Sequence, residues 1–423
     1  MSRPDDRPPR IDARLDTRLN RRLDPRLLAG DPRIASGHFT DEYFNRTRQI
    51  LMAEGRHPIV RWQVFQKREA RVCGLDEAIG IVRFALGDDW RRLSVSALRD
   101  GDSIAPHETV LLVEGDLSLF IHLETIVLGT LARRTRIATN VYGAVRAACL
   151  VSPKPVLFFP ARFDIYSTQA GDGYAFDIAA RRGLRDAGWG ENSATAATLG
   201  GVSTAAQGEW TGAEALGTIP HALEAAYGGD VARATLAFAE RIDPRVPRIA
   251  LVDYHNDSVA TTLEVAEAML ARFREARDER FRLRGVRLDT SEALVDRAFA
   301  QDETVAQDAP ASPERGVTPA LVHAVHGALA ERAASHAAGS LDREFYEGVG
   351  IIVSGGFTPE KIHAFESARV PVSAYGVGSA MFAGRYDFTA DVVGLQVDGV
   401  WRDEAKVGRH FRPNERLKPL DSS

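Results

Sequence analysis

The chain has 423 residues, 44% of them hydrophobic and 26% charged, and a net charge of -5. These values describe a globular protein of two or three domains and carry no bulk basicity that would argue for nucleic acid. Cys73 and Cys149 stand far apart in no metal-ligand spacing, which argues against a disulfide framework or a structural zinc and fits a reducing cytoplasm.

No apolar run reaches the ~18 residues of a membrane span, and the N-terminus lacks an apolar signal core. Residues 1–36 are rich in Arg, Asp and Pro, with Leu15, Leu19, Leu23 and Leu27 at every fourth position. The composition predicts a disordered tail, with a short helix formed on contact as the alternative. Residues 37–136 read as an α+β domain. Thr40 is placed to cap a helix that opens at Asp41-Glu42-Tyr43-Phe44. Val60–Phe65 reads as a strand, Val110–Leu119 as β structure around a Glu114-Gly115-Asp116 turn, and about Glu124 to Arg134 as a helix.

From Val156 onward short apolar runs alternate with helical ones. The strand candidates are Val156–Phe159, Leu199–Ser203, Ala215–Ile219, Ile249–Val252, Val286–Leu288, Ile351–Val353 and Val372–Tyr375. Helices include Asp172–Asp186, Ala222–Arg241, Val259–Ala276 and Pro319–Ala337. Such alternation means a parallel sheet. About seven strands, with no Gly-x-Gly-x-x-Gly near the first, predict an irregular (β/α) barrel over residues 137–383 rather than a dinucleotide fold. Residues 301–316 are acidic and aperiodic and read as a flexible insertion. In residues 384–423, Val392–Val397, Asp398-Gly399 and Val400–Val407 form a hairpin expected to pack on the N-terminal domain.

Two strand–glycine–helix units stand in tandem near the end of this region. Ile351–Val353 runs into Ser354-Gly355-Gly356, with Thr358 and Pro359 suited to open a helix. The second strand runs into Gly376-Val377-Gly378-Ser379. Glycines let backbone N–H groups approach an anion, so Ser354, Gly355, Gly356, Gly376, Gly378 and Ser379 form a candidate phosphate cup. Two tight turns without a ligand are the alternative. Other strand ends carry Arg162 and Asp164, then Pro220-His221, then Asp253 with His255, Asn256 and Asp257, then Asp289-Thr290-Ser291. Each has a bland reading: His221 as a helix cap, Asp289 with its neighbours as N-cap chemistry, Arg162 paired only to Asp164. Convergence on one barrel face is what argues for chemistry.

These motifs resemble the nicotinate phosphoribosyltransferase family, of the type II phosphoribosyltransferase fold, over about Phe39 to Lys406. Thr40-Asp41-Glu42-Tyr43 is similar to its opening segment, and Val113-Glu114-Gly115, Leu123-Glu124-Thr125 and Ile137-Ala138-Thr139 to three further ones. Gly217-Thr218-Ile219-Pro220-His221-Ala222-Leu223 is similar to the loop bearing the family's phosphorylatable histidine, and Arg287-Leu288-Asp289 to another family segment. The resemblance implies that nicotinate and phosphoribosyl pyrophosphate form nicotinate mononucleotide and pyrophosphate, coupled to ATP, with magnesium accompanying phosphoribosyl pyrophosphate. It implies His221, Asp289 and Asp253 as catalytic residues and Tyr43, Arg162, Thr204 and Thr218 as substrate-binding ones. Tyr43 would reach the base site of a partner subunit, implying a homodimer; cysteine usage, charge and the lack of a long apolar run add the expectation of a cytoplasmic setting without nucleic-acid or membrane partners.

The chain departs from the family where Phe163 and Asp164 follow Arg162 in place of a second arginine, and at Asp253-Tyr254-His255-Asn256. The base is therefore open among nicotinate, nicotinamide and quinolinate. A phosphate-binding barrel enzyme of another class and a non-catalytic relative are the rival readings. An aldolase would need a strand-end lysine, whereas Lys154 precedes the first strand and Lys361 sits in a helix.

Overall fold

The computed structural model describes residues 22–24, 30–189, 200–299 and 315–420. The chain divides into two compact units: residues 1–143, 168–192 and 381–423 form the first, and residues 144–167 and 193–380 the second.

The first unit is built on a six-stranded sheet in the order Val400–Arg402, Phe388–Val397, Ile59–Gln66, Thr109–Asp116, Ser94–Ala97, Lys418–Pro419. Its strands pair antiparallel. The expected C-terminal hairpin is present. Asp398 and Gly399 both take positive φ, 51° and 79°, the pair that a twisted two-residue turn requires. Its long strand pairs with Ile59–Gln66, so the hairpin closes on the N-terminal strands. Trp62, Val64, Leu111, Val113, Leu123 and Leu131 are buried together in this unit's core.

Four expectations change here. Glu114-Gly115-Asp116 is not a turn, since it pairs with Ile59–Arg61 and stays in the strand. The next residues form a short helix, Leu117–Phe120, capped by Asp116 accepting from Ser118 N. The aspartate is a helix cap, a role that reads like a turn in sequence. The helix from Glu124 extends to Ala148, across the expected boundary at 136/137; on it Arg133 and Arg134 pair with Asp172 on Gln169–Asp186, and Arg134 also with Glu77. Residues 1–36 are not wholly a tail. Arg22 binds Asp76 at 2.6 Å, Leu23 N donates to Asp76 Oδ2, and Asp31 caps a turn at Pro32–Ile34. Leu15, Leu19 and Leu27 lie outside the described residues. The helix beside Tyr43 is Glu42–Ala53, preceded by Asp41 rather than capped by Thr40, whose hydroxyl bonds Thr125.

The second unit holds a five-stranded parallel sheet in the order Val156–Phe158, Ala374–Val377, Gly350–Val353, Leu283–Leu288, Arg248–Leu251. Val202 bridges Phe158, and Ala215 bridges Val202, both parallel, so the two further strand candidates continue the sheet only as single bridges. Gly200 at φ +76° breaks the extended run there. Among the described residues no strand pairing joins Ala215 to Arg248–Leu251, and the sheet is a paired five-strand ladder with a bridged extension. The run Ala222–Arg241 is two helices, His221–Ala226 and Val231–Arg241, parted by Gly228 and Gly229 at φ 68° and 87°. Pro319–Ala334 likewise ends before a separate helix, Leu341–Glu347, capped by Ser340. Residues 301–314 of the expected insertion lie outside the described residues.

Candidate active site

Parallel strands deliver their C-terminal ends to one edge, where ligands of such sheets bind. In the second unit these ends and the loops beyond them line a cleft of about 600 Å³. Its walls include Phe159, Arg162, Phe163, Ser203, Thr218, His221, Arg287, Asp289, Ser354, Gly355, Gly356, Gly376, Gly378 and Ser379. That volume suits a small-molecule substrate.

The floor is a three-residue network. Arg287 Nη1 donates to Asp289 Oδ2 at 3.0 Å and to Ser354 Oγ at 3.1 Å. Ser354 Oγ donates to Asp289 Oδ1 at 2.9 Å. The Ser354 hydroxyl is thus engaged in holding Asp289. In the first glycine loop, Gly355 and Gly356 take φ of +80° and +65°, which only glycine enters without strain. A Cβ at Gly356 would lie 1.8 Å from Glu292 Oε1, so this carboxylate packs against the loop. Thr358 caps the following helix, Pro359–Ser367, by accepting from Lys361 N. In the second loop the glycines make room for aromatic rings. A Cβ at Gly376 would meet Phe159, and one at Gly378 would meet Phe163, each at 2.8 Å. Gly376 belongs to the strand Ala374–Val377 rather than to the turn.

His221 opens the helix His221–Ala226, but Pro220 occupies the cap position and no side-chain cap bond forms. The imidazole instead places Nε2 3.1 Å from Asp253 Oδ1. The His221 side chain is 49% exposed and that of Asp253 8%. Burial raises the Asp253 pKa, and the neighbouring His221 pulls it back. The Tyr254 ring lies 6.2 Å from that of His221. Arg162 lines the cleft with its guanidinium 5.3 Å from the Phe163 centroid. Among the described residues no ion pair engages it, so its charge faces the cleft.

Several candidates have polar groups engaged within the protein. Thr204 accepts from Gln207 N in a capping box, while the neighbouring Ser203 reaches the cleft. His255 Nε2 lies 2.9 Å from Gly229 O, Asn256 donates to Val295 O, and Asp257 caps Ser258–Ala276. No helix follows Asp289-Thr290-Ser291, so N-capping does not explain Asp289. Tyr43 belongs to the first unit and is 59% exposed beside Phe44.

The sequence reading passed over Arg287, Phe159 and Glu224. Arg287 had a signal: of the two cations in the parallel strand Leu283–Leu288 it is the one next to the carboxylate at the strand's C-terminal end, whereas Arg284 is exposed. Glu224 is fully buried one turn after His221, and burial raises its pKa to about 7. Among the described residues no group of three His, Cys, Asp or Glu side chains forms a metal site, and no helix is long and apolar enough to cross a membrane.

Residues 41–135 match the family described as quinolinate phosphoribosyl transferase, N-terminal domain. The fold resembles that of nicotinate-nucleotide pyrophosphorylase from Pyrococcus furiosus, at 28% identity and a TM-score of 0.67, covering 93% of this chain and 85% of that one. Human nicotinic acid phosphoribosyltransferase shares the fold at 16% identity and a TM-score of 0.53, covering 84% of this chain and 74% of that one. No curated protein matches by sequence. The domain match and the shared fold relate the chain to the type II phosphoribosyltransferases, whose fold it resembles.

Proposed function

We propose that the chain transfers phosphoribose from phosphoribosyl pyrophosphate to nicotinate, forming nicotinate mononucleotide and pyrophosphate with ATP coupling. The observation that carries this reading is one cleft holding the Arg287–Asp289–Ser354 network, two glycine loops, Arg162 and the His221–Asp253 pair. The backbone N–H groups of Gly355–Gly356 and Gly378–Ser379 would cradle the 5-phosphate, while that of Ser354 donates to Leu288 O at 2.9 Å. Departure of pyrophosphate leaves a cationic sugar, and Asp289, fixed by Arg287 and Ser354, supplies a preorganised opposing charge. Arg162 would grip the nicotinate carboxylate, with the Phe163 ring beside it for the pyridine to stack on. Magnesium would enter with phosphoribosyl pyrophosphate, since the described residues offer no dedicated metal cage.

For ATP coupling, Asp253 accepts from Nε2–H of His221 and so leaves the lone pair on Nδ1, the nitrogen that would attack the γ-phosphate. A homodimer in which Tyr43 serves the partner's base site, and a cytoplasmic setting, complete the proposal. Quinolinate is a second reading, favoured by the family matched at residues 41–135. Its two carboxylates want more cation than Arg162 alone supplies at the cleft mouth. Pyrophosphate release measured with nicotinate, quinolinate and nicotinamide separates these. Nicotinate turnover without carbon dioxide is expected. Turnover of quinolinate alone, with carbon dioxide, would replace the first reading with the second.

A further inference from the structure

Glu224 lies three residues after His221 in the helix His221–Ala226, so the two share a helix face. Glu224 is completely buried, and among the described residues neither of its carboxylate oxygens has a hydrogen-bond partner. A carboxylate persists in such a place only when a nearby charge compensates it or when it holds a proton. The charges acting on it are His221 on its own helix, Asp253 after the strand Arg248–Leu251, and Arg287 in the strand Leu283–Leu288. Arg287 is itself paired to Asp289. Burial and Asp253 raise the Glu224 pKa to about 7, while His221 and Arg287 oppose the rise.

We infer that Glu224 is a positioning residue for His221, a buried carboxyl whose charge decides whether the imidazole rests as a cation held by Asp253 or as the neutral nucleophile. The inference rests on the phosphoryl-acceptor reading of His221. With Glu224 and Asp253 both ionised, two carboxylates favour the imidazolium, which has no lone pair to attack. With Glu224 protonated, one carboxylate remains, and the neutral ring donates Nε2–H to Asp253. In the transfer, the Nδ1 lone pair forms the N–P bond to the γ-phosphorus of ATP. The bridging P–O bond breaks, and ADP leaves with its electron pair. The ring then bears phosphoryl on Nδ1 and a proton on Nε2, and Asp253 takes up that proton as the cation discharges.

The test uses the full chain and Glu224→Gln, which keeps shape and removes the charge. The His221 Cε1–H resonance is assigned with His221→Asn and titrated by NMR. In Glu224→Gln the midpoint of His221 is expected to fall by about one pH unit, a tenfold loss of proton affinity. Label uptake from γ-labelled ATP should then extend to lower pH by a similar margin. Glu224→Asp, which keeps the charge, should hold the His221 midpoint close to that of the unmodified chain. If Glu224→Gln does not fold, the unmodified chain carries the measurement, because a coupled carboxyl makes the His221 titration biphasic. A single-phase curve there, or an unmoved midpoint in a folded Glu224→Gln, overturns the inference. If the midpoint falls as stated but neither protein takes up label, the coupling stands and the phosphoryl-acceptor reading of His221 fails.

Discussion

Ser354 Oγ donates a 2.9 Å hydrogen bond to Asp289 Oδ1, tying the first glycine loop to the carboxylate after the neighbouring strand. Arg287 reaches both residues, so the three hold one geometry. Ser354→Ala removes one bond from this network and leaves the Arg287–Asp289 pair. The expected stability loss is ~1 kcal/mol by urea unfolding. Turnover should suffer more, by about tenfold in kcat with KM little changed, since Asp289 acts on charge that develops only in the transition state. A variant with unaltered kcat would show that Ser354 does not hold Asp289 for catalysis.

Gly356 combines a left-handed backbone with a close neighbour. Gly356→Ala should cost ~1–2 kcal/mol for the backbone alone, plus the collision with Glu292 Oε1. Glu292→Ala on top of it should restore only the second part. Melting temperatures of the two variants and their combination separate the contributions. Full recovery in the double variant would mean that the backbone conformation carries no cost.

The N-terminal segment is expected to matter for stability despite its composition. Arg22, 23% exposed, reaches the Asp76 carboxylate, 4% exposed, and also Leu98 O. Asp76 neighbours Asp100, whose pKa is raised to about 8 by burial first and by the Asp76 charge second. A carboxyl raised in the folded state stabilises fully below its unfolded pKa and loses that contribution as pH rises through the folded value. Deleting residues 1–36 removes Arg22 and leaves the buried Asp76 without its ion-pair partner, with the Tyr174 hydroxyl still donating to it. The expected loss is about 3 kcal/mol, with a steeper fall in stability between about pH 6 and about pH 9 than in the full chain. Calorimetry at both pH values is the check, and equal melting temperatures for the two chains would show that the segment does not dock.

Legibility followed the range of the interactions involved. Ile351–Val353 with Ser354-Gly355-Gly356 was readable because a doubly buried parallel strand leaves a β-branched run, and its glycines follow at once. The Asp398-Gly399 hairpin was readable because two adjacent residues determine the turn. Glu224 was not, because a glutamate on a short helix reads as a solvated face, and only the fold buries it where the charges of His221, Asp253 and Arg287 act on it. Arg22 was not, because only the fold brings Asp76 within reach across a gap of fifty-odd residues. The break in Ala222–Arg241 stood in the sequence as Gly228-Gly229, but the apolar periodicity on either side hid it. Bridges at Val202 and Ala215 show the limit for strands, since apolar runs mark a place in a sheet but not the length of the pairing.

Asp253 offers the sharpest test of ATP coupling. Its carboxylate can only accept from His221 Nε2, which confines the ring proton to that nitrogen and the lone pair to Nδ1. The amide of Asp253→Asn can donate instead, which lets the proton move to Nδ1 and removes the nucleophile's lone pair. Labelling of His221 by γ-labelled ATP should therefore fall by about tenfold or more, in the range that a misplaced general acid–base partner costs. Stability should move the other way. Burial raises the Asp253 pKa, so the buried carboxylate contributes its stability below the ordinary carboxylate range and loses it as pH rises. At neutral pH the neutral asparagine avoids that desolvation, and the melting temperature should hold or rise. A purely structural Asp253 would give the opposite pair of results, a lower melting temperature with labelling intact.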